Sequence, residues 1–173
     1  MLEGITLRLR PWRDEDLPVL TNLRNDIDLQ AQLLTQARGS RIENVREWLK
    51  ARSNESNTMF FIIAERIHDE TLGFLQVCDL DLLNGHANLG ICFIAQARGN
   101  GMGGQAIALL SEYLKNYWKI RKLTLKVRAD NTSALRCYEK AGFKHCGLLR
   151  SHFFNSGRWY DVVLMECFLK QVD

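Results

Sequence analysis

Apolar and polar positions along the chain follow two different periods, which predict a series of strands and helices. A period of two, or a short apolar run bounded by turn residues, indicates strands at residues 7–10, 59–65, 72–80, 87–94, 122–127, 147–154 and 158–168. A period near 3.6 indicates helices at residues 14–27, in a segment that begins at residue 40, at 103–117 and at 131–141. The last two strands are joined by an Asn-Ser-Gly turn, so we expect them to form a closing hairpin.

Capping residues set the predicted ends of these helices. Asp14 is the expected N-cap of the first helix, and Ser40 with Glu43 forms an S-x-x-E capping box for the second. Gly142 is expected to stop the last helix. The second helix is expected to bury Ile42, Val45, Trp48 and Leu49. Helix 103–117 is expected to bury Ala106, Leu109, Leu110, Tyr113, Leu114 and Tyr117.

The order of elements favours an α+β fold with a mixed, mostly antiparallel central sheet flanked by helices. Three predicted strands follow one another between residues 59 and 94 with no helix between them, which excludes a doubly wound parallel fold. A length of 173 residues fits one domain, so residues 1–173 are predicted to form a single domain.

Composition narrows the class of protein. Apolar residues make up 46% of the chain and charged residues 25%, which is ordinary for a globular protein in water. The net charge of +3 is too small to predict binding to nucleic acid. No apolar run approaches the ~18 residues of a membrane span, and no secretory leader pattern is visible. We therefore expect no membrane association and a cytoplasmic location.

Cysteine and histidine patterns give no sign of a metal site. The five cysteines have no C-x-x-C spacing, and the four histidines are scattered without an H-x-x-x-H pair. We expect five reduced thiols and no bound metal.

A cluster of glycines between a predicted strand and a predicted helix is the first candidate for chemistry. Gly99, Gly101, Gly103 and Gly104 fall within six positions. Free N–H groups and the helix dipole converge at a helix N-terminus, so such a loop can bind an anion, although a flexible surface loop would show the same composition.

Two common phosphate motifs explain the glycines poorly. A P-loop requires Gly-Lys-Ser/Thr, whereas Gly104 is followed by Gln105 and Ala106. The G-x-G-x-x-G spacing of a dinucleotide fold is present at Gly99, Gly101 and Gly104, but the acidic residue needed about 20 positions later falls in the basic stretch 118–122.

Two motifs in the expected order resemble the GCN5-related N-acetyltransferases. Arg98-x-x-Gly101-x-Gly103 resembles the pyrophosphate loop of that family. About 30 residues later, Asn131-x-x-Ala134-x-x-x-Tyr138-Glu-Lys-x-Gly-Phe143 resembles its cofactor-flanking helix. The segments LRPWRDEDL and RWYDVVLMECF resemble the branch that contains ribosomal-protein, spermidine and aminosugar acetyltransferases.

The resemblance implies an acetyl-CoA-dependent N-acetyltransferase that acts by direct transfer and needs no metal. It assigns the role of general acid to Tyr138, because a phenol can return a proton to a departing thiolate. It implies a backbone oxyanion hole at Phe93 and Ile94. The residues expected to bind the cofactor are Phe93, Ile94, Arg98, Gly99, Asn100, Gly101, Met102, Gly103, Gly104 and Asn131.

The general base is not assigned by the resemblance. Many relatives carry an acidic residue at the positions of Asn88 or Lys126, and neither is acidic here. Deprotonation of the amine through water to Asp79, Asp81 or His86 is the alternative left open.

The resemblance implies that the acceptor lies between residues 12–34 and 154–160. These segments and their flank hold Trp12, Arg24, Asp26, Asp28, Arg158, Trp159, Tyr160 and Asp161. This mixture favours a small-molecule amine such as an aminosugar nucleotide, with aromatic faces for the sugar and arginines for the diphosphate. A ribosomal-protein N-terminus and a non-catalytic CoA-binding module are the alternatives, and a homodimer is a candidate assembly.

Overall fold

Eight strands form one sheet in the order β1-β2-β3-β4-β5-β6-β8-β7 in the computed structural model, which describes residues 1–169. The strands are β1 (Leu2–Glu3), β2 (Leu7–Arg10), β3 (Met59–Glu65), β4 (Thr71–Asp81), β5 (His86–Phe93), β6 (Lys122–Arg128), β7 (Lys144–Asn155) and β8 (Arg158–Phe168). The helices are α1 (Leu17–Asn25), α2 (Ile27–Gln32), α3 (Ile42–Asn54), α4 (Met102–Trp118) and α5 (Thr132–Lys140). Residues 170–173 of the predicted domain lie outside the described residues.

All neighbouring strands are antiparallel except β5 and β6, which are parallel and joined through α4. The predicted α+β fold with a mixed, mostly antiparallel sheet is therefore confirmed. The closing hairpin is also confirmed, because β7 and β8 pair along their length across the turn between Asn155 and Arg158.

Two hydrophobic cores cover the two faces of the sheet. Leu75 and Val77 of β4 pack with Leu110 and Leu114 of α4. The alternate residue Phe74 packs with Cys92 of β5 and with α1 and α3 on the other face. Successive strand residues point to opposite faces, so the side-chain face of any residue on β4 or β5 follows from its number.

The predicted helix over residues 14–27 is wrong in its bounds. Residues Asp14–Asp16 form a short 3-10 turn, and Pro18 stands in the first turn of α1. Asp26 adopts an extended ψ of 104° and ends α1, and its Oδ1 accepts a hydrogen bond of 2.9 Å from the N–H of Leu29 to cap α2.

Two further details of the helix predictions are also wrong. Helix α3 begins at Ile42, where Asn44 Oδ1 accepts from the N–H of Arg41 at 3.1 Å, so Ser40 and Glu43 form no capping box. The N–H of Ser40 instead donates to Asn25 Oδ1. Tyr117, expected to be buried, is 76% exposed in the last turn of α4, which is followed by a left-handed Lys119.

A buried ion pair ties the start of the chain to the β3–β4 turn. Arg10 donates to both carboxylate oxygens of Asp16 at 2.9 Å, and the two side chains are 3% and 1% exposed. Arg10 also donates to Asp69 at 2.9 Å. Burial alone raises the pKa of Asp16, but hydrogen bonds from Arg10, Thr71 and the Arg13 N–H outweigh it and hold the pKa below its ordinary value.

Replacing Asp16→Asn is expected to lower the free energy of unfolding by about 3 kcal/mol, because the buried Arg10 guanidinium loses its bidentate carboxylate partner and keeps its ion pair with Asp69. A urea titration measures the loss. Because the folded pKa is depressed, the wild-type contribution is present above the unfolded pKa of about 4 and is lost as the pH falls below it. Asp14→Asn, which removes an exposed partner of Arg46, is the control and should cost less than about 1 kcal/mol. Equal losses in the two variants would contradict the assignment.

Candidate active site

The parallel strands β5 and β6 pair at three positions and then diverge. His86–Asn88 pairs with Lys122–Thr124. Beyond this point, within residues 1–169, β5 is paired with β4 alone and β6 with β8. The sheet opens here into a wedge, which we define by residues 90–93 of β5 and 125–127 of β6. These residues line a continuous cleft of about 2000 Å³.

The wedge receives a backbone donor from β5. The N–H of Ile94 donates to the carbonyl of Leu72 on β4 at 2.8 Å. Because successive N–H groups of a strand point to opposite sides, the N–H of Phe93 points away from β4 and towards the wedge. The prediction of a free donor at Ile94 is therefore wrong, and the predicted donor at Phe93 has the required direction.

The N-terminus of α4 opens onto the same cleft. Gly101 is the N-cap residue, with a left-handed φ of 73°, and no side chain caps the helix. Gly99 is also left-handed, with a φ of 81°. The first N–H groups of α4 have no partner within the helix, so they and the helix dipole form a ready anion site.

The predicted cofactor residues of this loop lie together, with one exception. The residues of the loop that line the cleft are Arg98, Gly99, Gly101, Met102, Gly103 and Gly104. Asn100 lies outside the lining among the described residues, and its amide donates to the carbonyl of Gln96 at 3.4 Å. Arg98 donates to the carbonyl of Phe93 at 3.0 Å, which ties the loop to the end of β5.

Helix α5 packs closely against the start of α4. A Cβ placed on Gly103 would lie 2.8 Å from Cys137 Sγ, so a larger residue here would require the Cys137 side chain to move. Asn131 is the N-cap of α5, where its Oδ1 accepts from the N–H of Ala134 at 3.1 Å. The predicted helix from residue 131 thus begins one residue later, at Thr132. Asn131 and Tyr138 both line the cleft.

Tyr138 lies partly buried in the wall of the cleft. Its ring packs edge-on against Phe143 at 5.9 Å between centroids. Burial raises the pKa of Tyr138, and Cys137 and Cys92 raise it further. The phenol is therefore protonated at neutral pH and is a proton donor. Burial also raises the pKa of Cys92 to about 12, so this thiol is no nucleophile at neutral pH.

Basic side chains surround the part of the cleft next to the glycine loop and α5. Arg98 lies at the glycine loop, and Arg136 and Lys140 lie one turn apart on α5. The uncapped N–H groups of α4 and the nearby cations can bind a pyrophosphate. The side of β5 that is unpaired at Phe93 within residues 1–169 can donate its N–H to the carbonyl of a ligand that contains amides. The residues present therefore fit coenzyme A.

The side chains suggested as acceptors of the amine proton lie outside the cleft. Asn88 lines the cleft, but it donates to Asp79 at 2.7 Å and accepts from Thr124. Asp81 binds the N–H and amide of Asn84 at 2.9 and 2.7 Å and lies 3.4 Å from His86. Within the described part of the chain, Asp79, Asp81 and His86 lie outside the lining.

Of the segments predicted to flank the acceptor, parts of α1 and α2 line the cleft and the hairpin does not, among the residues described. Arg24, residues 29–30 and residues 32–34 line the cleft, whereas residues 154–160 do not, within the range 1–169. Trp159 stacks on Phe154 at 5.1 Å and is 64% exposed. Trp12 donates to Ser53 at 3.1 Å, outside the cleft.

Sequence reasoning missed the side chains that α3, β4 and the α2–α3 loop bring to the cleft. The missed residues include Arg38, Trp48, Arg52 and Gln76. Trp48 and Arg52 are four residues apart on one helix, a spacing visible in the sequence. Their meeting with Arg24 depends on the packing of α1 against α3, which no local pattern encodes.

Within residues 1–169 no helix is long and apolar enough to cross a membrane. In the same range, no group of three His, Cys, Asp or Glu side chains is arranged to hold a metal ion.

Comparison with known proteins identifies the family. The sequence model of the acetyltransferase (GNAT) domain matches residues 6–144. An uncharacterized N-acetyltransferase derived from the SPbeta prophage of Bacillus subtilis is 26% identical over 158 residues, which cover 91% of this chain and 87% of that protein. A spermidine N(1)-acetyltransferase of Vibrio cholerae is 23% identical over 159 residues, which cover 92% and 91%.

Solved structures show the same fold. The crystal structure of spermidine N-acetyltransferase from Vibrio cholerae in complex with CoA and spermine aligns with a TM-score of 0.87, at 21% identity, over 95% of this chain and 96% of that one. The chain belongs to the acetyltransferase (GNAT) domain family and is an N-acetyltransferase whose acyl donor is acetyl-CoA.

Proposed function

We propose that the chain transfers an acetyl group directly from acetyl-CoA to a primary amine of a small molecule, within the wedge between β5 and β6. The observation that supports this most directly is the wedge itself. It brings the N–H of Phe93 and the phenol of Tyr138 into one cleft with the uncapped end of α4.

In this proposal the glycine loop holds the pyrophosphate. Gly99 and Gly101 turn the backbone so that the N–H groups of α4 face it, and Arg98 adds a positive charge. Asn131 and the edge of β5 hold the pantetheine arm. Bound acetyl-CoA supplies a thioester-activated acetyl group.

Phe93 and Tyr138 carry the chemical roles. The N–H of Phe93 is a fixed donor for the negative charge that develops on the acetyl oxygen. The Tyr138 hydroxyl gives its proton to the departing sulfur. No side chain of the wedge replaces the missing carboxylates at Asn88 and Lys126, so the amine loses its proton to water.

Three acceptor classes follow from what the sequence and the relatives suggest. The Vibrio cholerae relative is named for spermidine. The sequence favours an aminosugar nucleotide, for which the comparisons give no support, and a ribosomal-protein N-terminus is its alternative. The homodimer stays a prediction.

Thiol release from acetyl-CoA with a panel of these amines tests the proposal. We expect saturable release with at least one small-molecule amine and none with the corresponding N-acetylated compound. Tight CoA binding without release for any amine would identify a CoA-binding module instead. Release with N-terminal peptides alone would replace the small-molecule acceptor.

A further inference from the structure

The cleft passes through the wedge to the face of the sheet covered by α1 and α3. Leu75 and Val77 face α4, so the alternate residues Gln76 and Cys78 face α1 and α3. Both line the cleft, as does Asn88 of β5. An acceptor amine that enters from this face meets the wedge opposite the glycine loop of α4.

Three arginines converge on this second mouth of the cleft, and we name them the arginine corner: Arg24 of α1, Arg38 of the α2–α3 loop and Arg52 of α3. The Arg24 guanidinium lies 4.2 Å from the ring centroid of Trp48. Trp48 in turn packs edge-on against Phe60 at 5.3 Å and Phe74 at 6.1 Å. Packed aromatic rings therefore hold the guanidinium in a fixed position.

The arginine corner carries more positive charge than its own neighbours balance. Burial lowers the pKa of Arg24, and the charges of Arg52 and Arg38 lower it further. Arg52 has a carboxylate partner in Glu55 at 3.2 Å. Neither Arg24 nor Arg38 forms a salt bridge within residues 1–169, and Nε of Arg24 is buried there without a hydrogen-bond partner. Like charges held together in a partly buried site are costly unless an anion joins them.

Carboxylates are scarce along the cleft. Among the described lining residues the one acidic side chain is Glu112 of α4, on the opposite face, whereas Lys126 adds a further cation at the wedge. A polyamine requires several carboxylates, because each of its amines is charged at neutral pH. The basic side chains of this cleft would instead repel a polyamine.

We propose that the acceptor is a small primary amine that also carries a carboxylate or phosphate group, and that the arginine corner binds this anion. The inference rests on the proposed function and specifies its substrate class. The side-chain amide of Gln76 lies beside Gly90 at the wedge, and its buried Oε1 has no hydrogen-bond partner within residues 1–169, so a small rotation of the side chain would let it accept from the amine. The arginine corner and Gln76 then hold the anion and the amine of one molecule.

Matched pairs of amines that differ in the anion test this proposal. The pairs are glucosamine 6-phosphate with glucosamine, and phenylalanine with phenethylamine, and spermidine is assayed beside them. We expect kcat/KM to favour the anionic member of one pair or both by about 10–100-fold, the range for a charged hydrogen bond. The pair that shows the preference identifies phosphate or carboxylate. Preference for the neutral members or for spermidine would overturn the proposal.

Arginine variants test whether the arginine corner causes the preference for anionic amines. Arg38→Gln and Arg52→Gln should raise KM for the anionic amine about 10-fold or more, with kcat nearly unchanged. Arg38 is exposed in a loop, so its variant is expected to fold, and thermal unfolding checks both. Arg46→Gln, on the same helix but outside the cleft lining, is the matched control. Wild-type KM values in both corner variants would overturn the assignment.

The assay distinguishes failure of the proposed function from failure of the proposed acceptor class. No thiol release with any amine overturns the proposed function and the acceptor class with it. Release with neutral amines or spermidine, at rates equal to or above those of the anionic amines, overturns the acceptor class alone.

Discussion

Replacing Tyr138→Phe is expected to lower kcat about 100-fold, the effect of losing one general acid. Without the hydroxyl, the departing sulfur must leave as an unprotonated thiolate or take its proton from water. Burial raises the pKa of Tyr138, so the wild-type phenol holds its proton throughout the neutral range. CoA affinity should stay near that of the wild type, because the ring and its packing on Phe143 are retained. Steady-state thiol release and calorimetric titration with CoA measure the two quantities.

Tyr113→Phe is the matched control for this prediction. Tyr113 is also a partly buried tyrosine, packed edge-on against Phe61 at 6.3 Å, but it lies outside the lining of the cleft among the residues described. Its variant should keep wild-type kcat. If Tyr138→Phe did the same under conditions where chemistry limits the rate, Tyr138 would have no part in the mechanism.

Gly101→Val is expected to weaken CoA binding about 10–100-fold, which corresponds to the ~1–3 kcal/mol of strain in a left-handed non-glycine residue. A Cβ at Gly101 meets no protein atom within 4 Å, so the penalty comes from the backbone at φ 73° and not from a clash. Relief of that strain turns the first N–H groups of α4 away from the pyrophosphate. Isothermal titration with CoA measures the loss.

Gly157→Val is the matched control, because it introduces the same backbone strain away from the glycine loop. Gly157 has a φ of 77° and equally open surroundings, but it lies in the turn of the closing hairpin. Its variant should lose comparable stability and keep wild-type CoA affinity. Equal CoA affinities for the Gly101 and Gly157 variants would contradict the assignment of the glycine loop.

The sheet was predictable because its strands carry local signals. Residues 7–10, 59–65 and 158–168 form β2, β3 and β8 as predicted, and the other four predicted strands differ by one to three residues at their ends. Helix bounds failed where a different nearby side chain formed the capping hydrogen bond. Asp26 interrupts the expected helix 14–27, and Asn44 displaces Ser40 as the residue that caps α3.

The two mouths of the cleft were not equally predictable. The glycine loop and Tyr138 lie in contiguous motifs, so the part of the cleft assigned to acetyl-CoA was predictable from the sequence. The arginine corner joins residues from three separate segments, and the hairpin side chains expected at the acceptor bind each other instead. Pairing at Ile94 was likewise invisible, because it depends on the register of β5 against β4.

A crystal structure of the chain with bound CoA tests the central claim most directly. We expect pyrophosphate density against the N–H groups of residues 101–104, and the CoA sulfur within hydrogen-bond reach of the Tyr138 hydroxyl. CoA bound outside the wedge, or a sulfur that lies away from Tyr138 with the loop correctly occupied, would contradict it.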